Sequence, residues 1–332
     1  MTRGSLARLP EIDIAKGLGI SLVVFGHLVA RNIKPIGVDW YQSMHEGLYS
    51  FHLSIFFFLA GYVYWLAPYE VRRARLGKSV SKLLSAYAFF AILAFFGKAL
   101  AGAFFSIDRP IGGFVSDWLG FFLYPTEGFV TFLWFIPVLL VLYLIASRIR
   151  TLDGAFGLGV ISLALAAHLL STNGFMPKLF AIQQISRYLL FFLLASYAVK
   201  FHSALNFERH GLWMVAALLM CVCFYVLPNI LWPTIVALLS LTVALGFSRF
   251  LAKHGGLIAV ALAWLGQRSW PIYLMNVFAI GAVKLLVLRY IGWDYEMFYV
   301  AAPILLASGL LLPVLVQRFV FARFTWVDRF TR

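Results

Sequence analysis

Long apolar stretches follow one another along nearly the whole chain, separated by short breaks rich in Lys, Arg, Gly and Pro. About ten of them are long enough to be crossing helices, at approximately residues 13–30, 48–67, 83–105, 131–147, 154–171, 182–199, 211–227, 230–249, 268–289 and 299–321. A run of about 20 apolar residues, at 1.5 Å rise per residue, matches a hydrocarbon core of roughly 30 Å. A membrane β-barrel would show short segments of alternating polarity instead. The pattern predicts an all-α, polytopic membrane helix bundle forming one domain over residues 1–332. The longest break, 106–130, contains GFVSDWLGFFLYP, an apolar piece too short to span. It is expected to lie on the outer interface or to fold back over the bundle mouth. Pro228-Asn229 joins the seventh and eighth spans as a hairpin, and a short basic tail follows Phe321.

Composition agrees with this reading. The chain is 63% hydrophobic and 12% charged, where a soluble domain carries about 25% charged residues. The net charge of +14 raises the question of nucleic acid, but the placement of the charge answers it. Arg72, Arg73, Arg75, Lys78 and Lys82, then Arg148 and Arg150, Lys200 and Arg209, and Arg249 and Lys253 fall in alternate breaks. The C-terminal Arg318, Arg323, Arg329 and Arg332 fall on the same side, while Asp39, Glu46, Asp108, Asp117, Glu127, Asp294 and Glu296 fall on the other. This is the positive-inside pattern, and it places both termini in the cytoplasm, with a lipid bilayer and no nucleic acid as partner. Leu28 and Ala30 make a poor small-residue cleavage site, so the first span reads as uncleaved. Cys221 and Cys223 lie two apart in one apolar segment, on different faces, and form neither a disulfide nor a metal pair.

The first span holds the most informative chemistry. In EIDIAKGLGISLVVFGHLVARN, His27 follows Lys16 by eleven residues. Eleven steps of 100° return to within about 20° of the start, so Lys16 and His27 share one helix face, with Asp13 about 40° to the side. The two stand roughly 16 Å apart along the axis. Ionisable groups inside a bilayer are costly and read first as functional. Histidine titrates near neutrality and suits a general base. His52 in the second span sits at a depth similar to that of His27, and Gly61 permits a close helix approach. Arg72 and Arg75, three apart on the cytoplasmic side, suit phosphate binding. Arg187, near the outer face of the sixth span, and Glu127, opening the fourth, are candidates for holding a ligand. Lys98 and Lys284 read as snorkelling residues. No metal-ligand spacing, phosphate loop or dinucleotide fingerprint occurs.

Several motifs resemble the acyltransferase-3 family of integral membrane proteins. They are Asp13-x2-Lys16-Gly17, Val23-Val24-x-Gly26-His27, and Phe51-His52-Leu53-x2-Phe56-Phe57-Phe58-Leu59-Ala60-Gly61-Tyr62. The spacing of Lys16 to His27 and Arg72-x2-Arg75 also match, and the fucose O-acetylase-like branch is the most similar. Weaker matches are Leu133-Trp134-Phe135-Ile136-Pro137 and Gly266-x2-Ser269-x2-Ile272-Tyr273. Two positions depart from the family: Ala60 stands where it often has Ser, and Asn276 where it often has His. The resemblance implies transfer of an acyl group, usually acetyl, from cytoplasmic acyl-CoA, a co-substrate and not a tightly bound cofactor. The acceptor would be a hydroxyl of an extracytoplasmic or lipid-linked glycan, and the location a bacterial inner (cytoplasmic) membrane. His27 would accept the hydroxyl proton or carry the acyl group. Lys16 and Asp13 would hold the thioester end or tune the cavity, Arg72 and Arg75 would grip CoA phosphates, and His52, Glu127 and Arg187 would face the acceptor. Both acetyl and succinyl donors fit. The alternative on the residues alone is a proton-coupled transporter or exporter of a glycan or small molecule, since intramembrane His, Lys and Asp also build proton relays. The inverted repeats and matching broken helices of such transporters are not evident in the sequence.

Overall fold

A computed structural model describes residues 9–29, 38–104, 109–201, 211–226, 232–290 and 295–331. Every regular element among them is helical. In chain order these are α1 (Pro10–Gly26), α2 (Asp39–Trp65), α3 (Tyr69–Gly102), α4 (Phe114–Leu123), α5 (Phe135–Ser147), α6 (Gly154–Thr172), α7 (Ile182–Lys200), α8 (Leu212–Val226), α9 (Trp232–His254), α10 (Leu257–Gln267), α11 (Ser269–Tyr290), α12 (Tyr295–Phe319) and α13 (Thr325–Thr331). Short 3₁₀ turns at Phe132–Trp134 and Leu179–Ala181 lead into α5 and α7. Helices occupy all ten expected span positions. Seven are long and apolar enough to cross a membrane, while α1, α5 and α8 fall short of that length. The hairpin expected at Pro228-Asn229 lies outside the described residues.

The helix carrying the Lys16–His27 stripe is central. α1 packs against α2, α9, α10, α11 and α12. Pro10 occupies its first turn, where the missing N–H costs nothing, and Glu11 and Asp13 there complement the helix dipole. The expected span ran to residue 30, but the helix ends at Gly26, so His27 is its C-cap, with helical dihedrals and its N–H turned back to Val23 and Val24. Two glycines set the distance to α10. A Cβ on Gly17 would fall 1.9 Å from the Leu262 carbonyl oxygen, and one on Gly266 would fall 1.7 Å from that of Asp13. Gly61 does the same for α2 against α7, at 2.4 Å from the Phe192 carbonyl oxygen. Such close backbone approach is how membrane helices gain packing where no hydrophobic driving force separates protein from lipid. The outward faces are apolar as well: Phe96, Leu100, Leu163, Leu218 and Leu257 are exposed.

Three expectations are corrected. The break between the eighth and ninth spans contains α10, which is only 11 residues long. It starts after Gly255 and Gly256, both at positive φ, and is too short to read as a span. The basic tail is not a simple tail. It folds into α13, whose Val327, Phe330 and Thr331 are buried, and Trp270 Nε1 donates to the Phe330 carbonyl at 2.8 Å. Lys284 does not snorkel: it is buried and donates to the Leu28 carbonyl at 3.3 Å. Lys98 donates to the Arg109 carbonyl at 3.2 Å, tying α3 to the loop before α4. α4 is a ten-residue helix that buries Phe121 and leaves Phe114, Val115, Leu119 and Phe122 exposed, as an interfacial segment would.

Candidate active site

Helical arithmetic orients the stripe. Gly17 faces α10 and Gly19 faces Phe56 of α2. Lys16 and His27 lie about 80–100° from Gly17 on the side toward α2, so they look into the space bordered by α2 and α11. Asp13 is buried and Lys16 half-buried. At the upper end of the stripe, His27 Nδ1 lies 2.8 Å from Asn276 Oδ1 on α11. Among the described residues His27 Nε2 has no hydrogen-bond partner, and the side chain is half-buried.

α2 supplies the opposite wall. His52 is 2% exposed, and its Nδ1–H donates to the Leu48 carbonyl at 2.6 Å. It lies within electrostatic reach of both His27 and His45. Tyr49 stacks on His45 with centroids 4.1 Å apart and meets His52 edge-on at 4.7 Å. A Cβ on Gly26 would come within 3.0 Å of the Tyr49 ring, so this stripe abuts the end of α1 beside His27. Sequence reasoning took His52 and passed over His45 and Tyr49. The spacing His-x3-Tyr-x2-His, one face of a helix, is the signal that identifies them. Asn276 and Lys284 were also passed over as site components. Both reach α1 only through tertiary packing.

At the cytoplasmic end, Arg72 and Arg75 part company. Arg75 is exposed. Arg72 is 6% exposed, with its guanidinium carbon 4.1 Å from the Trp65 ring centroid, 5.0 Å from that of Tyr64 and 5.6 Å from that of Tyr69. Its Nη2 donates to the Arg150 carbonyl at 3.1 Å, while Nε and Nη1 are buried without a partner. An aromatic cage thus holds a cation that keeps two donors unspent. Further along α3, Lys82 lies over the Trp270 ring at 5.5 Å, so the basic first half of α3 runs from the end of α2 to the start of α11.

The remaining candidates sit apart from this stripe. Glu127 is exposed and pairs with Lys178 at 2.6 Å, while Arg109 Nη1 donates to the Glu127 carbonyl at 2.5 Å. Arg187 is half-buried on α7, just after the left-handed Phe180 and Ala181, and its carbonyl accepts from His168 Nδ1–H at 2.7 Å. No described contact joins Glu127 or Arg187 to His27. A cavity of about 410 Å³ opens between α6 and α7 beside the Asp153–Lys200 pair, and none of the candidate residues lines it. The Lys200 ammonium holds the Asp153 carboxyl below the usual carboxylate range.

A family model described as an acyltransferase domain, of the acyltransferase-3 type, matches residues 9–318. No curated protein and no solved structure matches the chain.

Proposed function

The chain belongs to the acyltransferase-3 family, and from that premise we propose that it moves an acyl group, ordinarily acetyl, from cytoplasmic acyl-CoA to a hydroxyl of an extracytoplasmic or lipid-linked glycan. Membership makes it a membrane acyltransferase; the donor, the acceptor and the residue roles are proposed. His27 carries that reading, because it is a half-buried histidine at the end of the central helix with one ring nitrogen engaged and the other open.

In this reading Nε2 of His27 takes the proton from the acceptor hydroxyl as its oxygen attacks the thioester carbonyl. The tetrahedral intermediate collapses, the C–S bond breaks, and the CoA thiolate leaves with the proton returned from the imidazolium. The ester forms, the thiol is released, and the histidine ends as it began. The thioester is already activated, so positioning and proton transfer carry the catalysis. Arg72 supports the donor side, since its two unspent buried donors suit an anionic oxygen. Lys16 and Asp13, lower on the α1 stripe, lie between that end and His27 and would line the path of the pantetheine arm. His52 would border the acceptor beside His27, with Glu127 and Arg187 nearer the outer mouth.

Membranes containing the protein, incubated with radiolabelled acetyl-CoA, test this. Label should pass into a glycan or lipid-linked sugar, and matched membranes lacking the protein should give none. Equal labelling in both, or label retained wholly as acetyl-CoA, contradicts the reading.

A further inference from the structure

We propose that Asn276 is a positioning residue that fixes the tautomer of His27 and so decides which ring nitrogen meets the acceptor. This rests on the reading of His27 as the general base and adds to it a partner on a different helix.

The orientation of the amide is set by its own helix. Asn276 is fully buried. Its Nδ2 donates to the Ile272 carbonyl at 2.9 Å and to the Tyr273 carbonyl at 2.8 Å, two partners that can only accept. Turning the amide over would set Oδ1 against two carbonyl oxygens, with no proton between them. Oδ1 is therefore the atom held 2.8 Å from His27 Nδ1. An amide oxygen only accepts, so His27 must donate from Nδ1. A neutral imidazole has a single N–H, and once Nδ1 carries it, Nε2 is left with a lone pair. The atom without a described partner is thus the atom able to take a proton.

α11 is fixed around this contact. Three residues before Asn276, the Tyr273 hydroxyl donates to the Phe132 carbonyl at 2.9 Å, and three residues earlier again Trp270 is tied to Phe330. Four residues after it, Ile280 packs at Gly309 of α12, where Val24 of α1 also packs. The three helices lock together within one or two turns of the His27–Asn276 bond. The choice of Asn is also chemically specific. A carboxylate in its place would favour the imidazolium, and an apolar residue would leave the tautomer unassigned. A neutral acceptor fixes the proton without adding a charge.

Full-length protein with ¹⁵N-labelled histidine, reconstituted in lipid nanodiscs, allows a direct test; His27→Ala assigns the His27 signals. Wild type should show neutral His27 protonated at Nδ1. Asn276→Leu, close in volume but with no acceptor, should lose that preference. Its kcat should fall about tenfold or more, with KM for acetyl-CoA within about twofold of wild type. Asn276→Ala, which removes the acceptor without placing an apolar branch against the Ile272 and Tyr273 carbonyls, should lose the preference as well and guards against Asn276→Leu failing to fold. An unchanged Nδ1–H signal or unchanged kcat in a folded Asn276→Leu or Asn276→Ala variant overturns the proposal. Full acyl transfer by His27→Ala would instead overturn the general-base reading on which it rests.

Discussion

His168 spends both ring nitrogens inside the bundle: Nδ1–H donates to the Arg187 carbonyl at 2.7 Å, and Nε2 accepts from the Thr234 hydroxyl at 3.1 Å. It has nothing left to offer a substrate. Replacing it with Leu should cost about 1–3 kcal/mol of stability by stranding buried partners, seen as a lower melting temperature with unchanged activity per folded molecule. His27 and His52 differ from it in keeping Nε2 without a described partner. The helix period makes the Lys16–His27 stripe readable in the sequence. It does not reveal Asn276, because that contact spans 249 residues and depends on how α11 meets α1. The arginines show the same limit. Spacing paired Arg72 with Arg75, but the fold buries one in an aromatic cage and exposes the other. Arg72→Ala should therefore weaken acetyl-CoA binding by about 1.5–3 kcal/mol, roughly tenfold to a hundredfold, and Arg75→Ala by less. Isothermal titration with acetyl-CoA at equal protein level measures both, and equal affinity in wild type and Arg72→Ala removes Arg72 from the donor site.

Among elements, the α1–α10 pair is the one the sequence hid. Gly17 and Gly266 stood inside recognisable motifs, yet α10 itself is too short to register as a span. The structure gives those glycines a common task, since each lies where a Cβ would collide with backbone of the facing helix. Gly266→Ala should destabilise the protein by about 1–3 kcal/mol through overpacking. Gly281→Ala on α11, where nothing lies within 4 Å of the added carbon, should be neutral or slightly stabilising. Thermal unfolding of the two variants in one detergent checks the contrast, and equal melting temperatures would dismiss the packing argument. The exposed Asp153–Lys200 pair behaves differently. Its lowered carboxyl pKa means that any contribution is present at neutral pH and is lost only as pH falls through the acid range. Exposed pairs add little, so Asp153→Asn should leave the pH 7 melting temperature nearly unchanged.

For the whole molecule, apolar run lengths and alternating basic breaks were enough to place ten helices, because lipid imposes both signals along the sequence. They could not show which helix lies at the centre, since run length and charge placement carry no information on which helices pack together. Family membership settles the choice between enzyme and transporter that the residues alone left open. A reporter fused after Arg332 should be active only in its cytoplasmic form, and one inserted near Tyr124 only in its extracytoplasmic form; the reverse pattern would put Arg72 on the wrong side for acyl-CoA. The central claim is that His27, as general base, enables transfer of an acyl group from a cytoplasmic donor to an extracytoplasmic acceptor. Inside-out membrane vesicles supplied externally with radiolabelled acetyl-CoA test it most directly, comparing wild type with His27→Gln at equal protein level. The account predicts labelled lumenal glycan in wild type, a fall of about a hundredfold or more in the variant, and unchanged acetyl-CoA affinity. Labelling by His27→Gln at close to the wild-type rate would contradict it.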